Sequence, residues 1–217
     1  MVMPTRYKTA SPLLVNYDFQ EVIEGTGNLV FYPGNGLDAS ATEKDILSSS
    51  IFNSDEIEHQ QATGDTTSFT KLSELNYDLS DIKISQTTKG FATVSLSWAI
   101  YGHASATITG YMVVKLIRVR DSAETVMGTG KTGELAKAAA AWELKTSTLI
   151  LDLTETRLQV GDTLRLSVEN WRKTSGGGLT GKGAWGHDPA NRNGTIFTDS
   201  TVNPTQIKLT VPFNTEQ

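Results

Sequence analysis

Cysteine is absent from this chain of 217 residues. Neither a disulfide framework nor a thiolate metal site is therefore available. Histidine occurs three times, as His59, His103 and His187, and no two stand at a ligand spacing such as HxH or HExxH. No run approaches the roughly 20 apolar residues of a helical membrane span. Residues 1–19, MVMPTRYKTASPLLVNYDF, hold no apolar segment long enough for a signal peptide, so export by the usual route is not expected. Positive charge is in the minority: 19 Lys and Arg stand against 24 Asp and Glu, a net charge of −5. That balance argues against a broad basic surface for nucleic acid, and its plainest meaning is solubility.

What is abundant is alternation. Residues 148–171, TLILDLTETRLQVGDTLRLSVENW, hold two apolar alternations hinged on Gly161 and Asp162. Leu149, Leu151 and Leu153 face one way, with Ile150, Asp152 and Thr154 opposite. Beyond the hinge, Leu164, Leu166 and Val168 repeat the pattern against Arg165, Ser167 and Glu169. A side-chain period of two marks a strand with one face on a core. Glycine tolerates positive φ and Asp bonds its own backbone, so the hinge predicts a turn between sequential antiparallel strands.

The same signal recurs along the chain. Strands are expected over 14–23, 28–32 and 75–85, the last kinked near residues 80–81, and within 46–58 on Ile51 and Phe52. Further strands are expected over 91–101, 111–119 and 207–213, with a brief one at 196–197. Residues 1–12 read as an extended arm, residues 38–45 as polar enough to hold a helical turn, and 60–68 as loop. Residues 123–133 are rich in glycine and read as flexible. Residues 134–144, ELAKAAAAWEL, are the best helix candidate because Ala and Leu favour helices. The segment 172–193 reads as a long Gly-rich loop. Many short strands, close turn signals and no fixed repeat define an all-β chain. The expected fold is an antiparallel two-layer β-sandwich, jelly-roll-like, with at most one short helix. It forms a single domain over 13–217.

Candidate chemistry is sparse. Gly128-Thr129-Gly130-Lys131-Thr132 sits where a phosphate loop would, but GxxxxGK[ST] fails because Thr125 stands five before Gly130, so a flexible turn is the better expectation. No GxSxG elbow occurs. Asp188, Asn191 and Asn193 cluster beside His187, yet their order is not that of a calcium-binding loop. Of the four tryptophans, Trp98 lies on the apolar face of its strand, whereas Trp171 and Trp185 suit a contact surface. The candidate interaction surface comprises Trp171, Trp185, His187, Asp188 and Arg192, with Arg6 and Tyr7 of the arm. No catalytic residue, metal or cofactor is expected.

Four stretches carry a family likeness: NYDFQEVIEGTGNLVFYPG at 16–34, ILSSSIFNSDEIE at 46–58, LQVGDTLRLSVENW at 158–171, and TQIKLTVPF at 205–213. Together they resemble uncharacterised β-sandwich virion proteins of tailed bacteriophages. The resemblance implies a non-enzymatic structural protein of the capsid or tail, of the auxiliary or decoration type. Its partners would be other virion subunits and further copies of itself, with a trimer as a plausible assembly, and neither nucleic acid nor membrane. Its place would be the virion, after synthesis in the host cytoplasm. A carbohydrate-binding module or host-recognition adhesin on the same sandwich, using the 172–193 loop, is the competing expectation.

Overall fold

The computed structural model describes residues 15–16, 26–37, 43–63, 66–79, 82–176, 181–192 and 204–215. Their strands are β1 (Val15–Asn16), β2 (Thr26–Leu37), β3 (Glu43–Ser48), β4 (Glu58–Thr63), β5 (Thr70–Leu79), β6 (Gln86–Tyr101) and β7 (Ile108–Arg120). There follow β8 (Ala123–Lys131), β9 (Leu135–Lys137), β10 (Trp142–Leu158), β11 (Thr163–Thr174), β12 (Gly181–Gly186) and β13 (Lys208–Thr215). No helix occurs among the described residues.

Two layers result. In one, β6 pairs with β10 along one edge, while β12 and β13 share its other edge end to end. Strand β4 extends that layer beyond β12, and β2 extends it beyond β13. In the other, β5, β11, β7 and β8 lie side by side in antiparallel order, with β9 on the remaining length of β7. Strand β2 belongs to both: its first half pairs with β13, and Tyr32 onward pairs with β3. One parallel contact, Ile46 to Asp78, joins β3 to β5. The chain is an all-β sandwich, as its alternation requires.

The inward residues are those the period-two pattern selects. Val94, Leu96 and Trp98 of β6 and Leu149, Leu151 and Leu153 of β10 meet Met112, Val114 and Leu116 of β7 and Leu164, Leu166 and Val168 of β11. Each fully buried side chain of this size contributes about 1.5–3 kcal/mol of transfer free energy. The hinge behind β10 forms as expected. Gly161 adopts φ 90°, and Asp162 accepts from Gln159 N at 2.8 Å and from Arg120 Nε and Nη2 at 2.7 Å each. The turn is stitched to Ile82 through Gly161 N at 3.0 Å and Ile82 N at 2.8 Å.

Several segments depart from expectation for physical reasons. The helix expected over 134–144 is strand and bend: Leu135 packs on the core, β9 takes the length of β7 that β8 leaves free, and Gly102 N bonds Ala141 O at 3.0 Å. Tertiary pairing overrides alanine's weak preference. The phosphate-loop lookalike lies in β8 instead of a flexible turn. A Cβ on Gly128 would lie 2.7 Å from Leu153 Cδ2, so glycine there lets β8 close against β10. Strand β3 occupies part of the stretch expected to turn helically and ends at Ser48, leaving Ile51 56% exposed. Strand β4 takes residues expected as loop. The supposed long loop at 172–193 contains the end of β11 and all of β12. Residues 1–12, the kink at 80–81 and residues 196–197 lie outside the described residues.

Candidate functional site

Strand β12, GKGAWG, runs between β4 and β6 with Trp185 opposite both His59 and Trp98. Glycines let it pass. A Cβ on Gly183 would fall 1.9 Å from Asn170 Nδ2, and one on Gly186 would fall 2.7 Å from Thr205 Cα. The strand thus delivers Trp185, His187 and Asp188 to the interior, all at 0% exposure. This corrects their expected role as contact surface. Pairing with β4 on one side and β6 on the other, and contact with Asn170 of β11, enclose this glycine-rich segment.

A hydrogen-bond chain orders these groups. Trp185 Nε1 donates to Tyr77 Oη at 3.1 Å, and Tyr77 Oη lies 3.0 Å from His187 Nδ1. Indole only donates, so the Tyr77 oxygen accepts from Trp185, and the imidazole tautomer sets which of Tyr77 and His187 donates in the second bond. His187 Nε2 is buried without a hydrogen-bond partner, with Glu56 Oε2 3.9 Å away. Burial, and then the neighbouring His59, push the His187 pKa down to about 4, so the ring is neutral near pH 7. Burial likewise lowers His59, whose ring lies 4.5 Å from Trp185, and raises Tyr77 well above its ordinary value.

Asp188 belongs to a clasp. Its carboxylate accepts from Ser54 N at 3.2 Å, Arg192 N at 2.8 Å and Arg192 Nε at 2.9 Å. Burial raises its pKa, but Arg192 and the backbone amides outweigh that and hold it below the usual range. Ser54, His187 and Asp188 stand together without forming a catalytic triad. Ser54 Oγ is engaged by Asn35 N at 2.8 Å and donates to Asn35 O at 3.1 Å. Nδ1 faces tyrosine, and the carboxylate faces arginine. A nucleophile and base within hydrogen-bond reach, which acyl transfer needs, are not assembled there.

Of the predicted surface residues, Trp171 lies on the outer face of the β5–β11–β7–β8 sheet, half-buried. It stacks on Tyr111 with centroids 6.2 Å apart and planes 8° apart, and Tyr111 meets Phe69 at 4.8 Å. Lys131 Nζ sits 3.6 Å above the Tyr111 ring and Lys173 Nζ 4.4 Å above Phe69. Beside this row lies an open groove of about 370 Å³ lined by Thr67, Thr107, Thr109, Lys173, Thr174 and Ser175. Further along the face, Trp171 Nε1 donates to Glu169 at 2.7 Å, and Lys115 pairs with the same carboxylate at 2.6 Å.

Glu74 stands opposite Glu169 in register, a placement that invites comparison with the carboxylate pair of glycosidases. Lys71 bridges them instead. Burial raises the Glu74 pKa, but bonds from Lys71 and Ser167 bring it below the usual range. A proton-donating acid needs its pKa moved the other way.

The structure thus joins Trp185, His187, Asp188 and Arg192 in one cluster and places Trp171 on a separate face. Arg6 and Tyr7 lie outside the described residues. Tyr77, Ser54, Phe69, Tyr111 and Lys173 were not anticipated as site residues, and Lys131 was weighed only within the phosphate-loop lookalike. Strand parity could have placed Tyr111 outward, had the near-continuous apolar run around it not masked the alternation.

No family model matches this sequence, and no curated protein does. Solved structures share the fold. An α-amino acid ester hydrolase aligns over 85% of this chain and 36% of its own, with TM-score 0.54 and 10% identity. An aminopeptidase from the marine sediment archaeon Thaumarchaeota archaeon aligns over 85% and 37%, with TM-score 0.50 and 7% identity. A structure of infectious bursal disease virus reaches a TM-score of only 0.32, too low to carry an argument. The chain spans about a third of the length of these two hydrolases. At such identities the likeness shows the fold alone. The expectation of a non-enzymatic virion protein is corrected to this extent: the sandwich is shared with hydrolases, and no structure of usable similarity among these supports a virion role.

Proposed function

We propose that this chain serves hydrolysis, as the β-sandwich module of a hydrolase-type enzyme acting on amino-acid esters or peptides. The observation that carries the proposal is the shared sandwich: 85% of this chain aligns with about a third of an α-amino acid ester hydrolase. Two features of the site support it. The outer aromatic row and its groove form a face built to meet another molecule, with half-buried rings and hydroxyls in place of a sealed core. The Asp188 clasp ties the segment around Ser54 to that around Arg192, the kind of support a site of fixed geometry needs.

The test follows activity through purification from the protein's own source. Hydrolysis of α-amino acid methyl esters and dipeptides is assayed in each fraction, and an antibody against this chain is then used to deplete the active pool. The proposal expects activity to track the chain and to fall with depletion. Activity that separates cleanly from the chain, or none in any fraction containing it, refutes the proposal.

A further inference from the structure

The lysines of the outer face divide into two kinds. Lys71 and Lys115 are neutralised by Glu74 and Glu169. Lys131 and Lys173 instead rest on the rings of Tyr111 and Phe69, and neither has a carboxylate at ion-pair distance among the described residues. Lys173 also lines the groove, whose other lining residues are threonines and a serine. Thr107 and Ser175 are tied to each other by one side-chain and one backbone bond: Thr107 N donates to Ser175 Oγ at 2.9 Å and Ser175 N donates to Thr107 O at 3.0 Å. Thr67 and Thr109 hydroxyls make no hydrogen bond to the described residues, so they remain available as donors.

An ammonium without a counter-ion, beside free hydroxyl donors and with no acidic residue in the lining, is complementary to an anionic oxygen ligand. The neighbouring row of Phe69, Tyr111 and Trp171 offers the half-buried remainder of its rings, left uncovered by Lys131 and Lys173, to an aromatic group carried beside that anion. Resting on the hydrolase reading above, we infer that the groove binds the free carboxylate of a short peptide bearing an aromatic side chain. The carboxylate lies on Lys173 and Thr109, and the aromatic side chain lies on the Phe69–Tyr111 shelf. Hydrolysis of an amino-acid ester or peptide generates such a carboxylate, so the groove distinguishes acid from ester or amide by the charge that hydrolysis creates.

Binding of N-acetyl-Ala-Phe as free acid and as C-terminal amide, followed by calorimetry and by Trp171 fluorescence, tests this directly. The acid should bind at least tenfold more tightly than the amide. Lys173→Met should abolish that preference, and Thr109→Val should weaken acid binding while leaving amide binding unchanged. Both sites lie on the solvent face, and far-ultraviolet circular dichroism checks that the variants are folded. Equal affinity for acid and amide, no binding of either, or a preference that survives Lys173→Met overturns the inference. So does binding of tri-galacturonate with none of the peptide acid, which would assign the groove to an acidic glycan. The readout needs no catalysis. A groove that fails here while hydrolytic activity tracks the chain is lost alone, and the module assignment stands.

Discussion

Acid should unfold this protein earlier than its carboxylates alone would dictate, because His187 is buried neutral. Its pKa falls from the ordinary 6.5 to about 4 on folding, through burial and then the neighbouring His59. The unfolded chain therefore takes up this proton near pH 6.5, whereas the folded chain resists until about pH 4. Stability is complete above pH 6.5, declines as the pH falls through that value, and levels off below about pH 4. Each pH unit below 6.5 costs about 1.4 kcal/mol, so the loss is about 2 kcal/mol at pH 5 and about 3 kcal/mol at pH 4. Against a domain stability of about 5–15 kcal/mol, that is readily measured.

The assay is urea unfolding followed by tryptophan fluorescence, at half-unit steps from pH 7.5 to 4. His59, which burial also lowers, contributes in the same direction. The comparison is therefore with His187→Asn, which offers Tyr77 both a donor and an acceptor and does not titrate. Depressed carboxylates such as Asp188 and Glu74 act at lower pH, since their stabilisation is lost as the pH falls through their folded values. The variant should be less stable at pH 7.5 but lose less between pH 6.5 and 5. Equal slopes for the two proteins across that window would refute the assignment of His187 as a buried neutral base.

Other perturbations follow from the packing. Gly183→Ala should destabilise by about 1–3 kcal/mol, because its Cβ meets Asn170. Asn170→Ala in that background should recover part of the loss, and a double-mutant cycle in urea that proves additive would show the two do not compete. Asp162→Ala should cost about 1–3 kcal/mol in chemical denaturation, since it removes the acceptor for Gln159 N as well as for Arg120. Phe91→Thr and Ile150→Thr should each change stability by less than about 0.5 kcal/mol, because both side chains are mostly exposed.

The alternation of 148–171 was sufficient to read β10, the Gly161 turn and β11, because period two couples side-chain chemistry directly to a buried face. It was also sufficient for the inward set of β6 and β13. It failed where backbone pairing decides. The run around Ala138–Ala141 has helical preference, but the free length of β7 captures its neighbours as strand. Gly128 and Gly130 look like a loop signal, yet their purpose is clearance against Leu149 and Leu153 across the sandwich. The candidate sites were half legible. Trp185, His187, Asp188 and Arg192 are close in sequence, but their hydrogen-bond partners Tyr77 and Ser54 lie more than 100 residues away along the chain. Trp171 lies outward by the parity of its strand. Its partners Tyr111 and Phe69 come from strands whose order no local pattern encodes. The virion resemblance pointed to a role that a sandwich by itself does not specify, because the architecture is shared by chains of unrelated function.

The proposal that this sandwich serves a hydrolase is tested most directly by immunodepletion of native fractions. Release of acid from α-amino acid methyl esters, titrated at constant pH, should fall in proportion to the chain removed. Undiminished ester hydrolysis after complete removal of the chain would contradict the account.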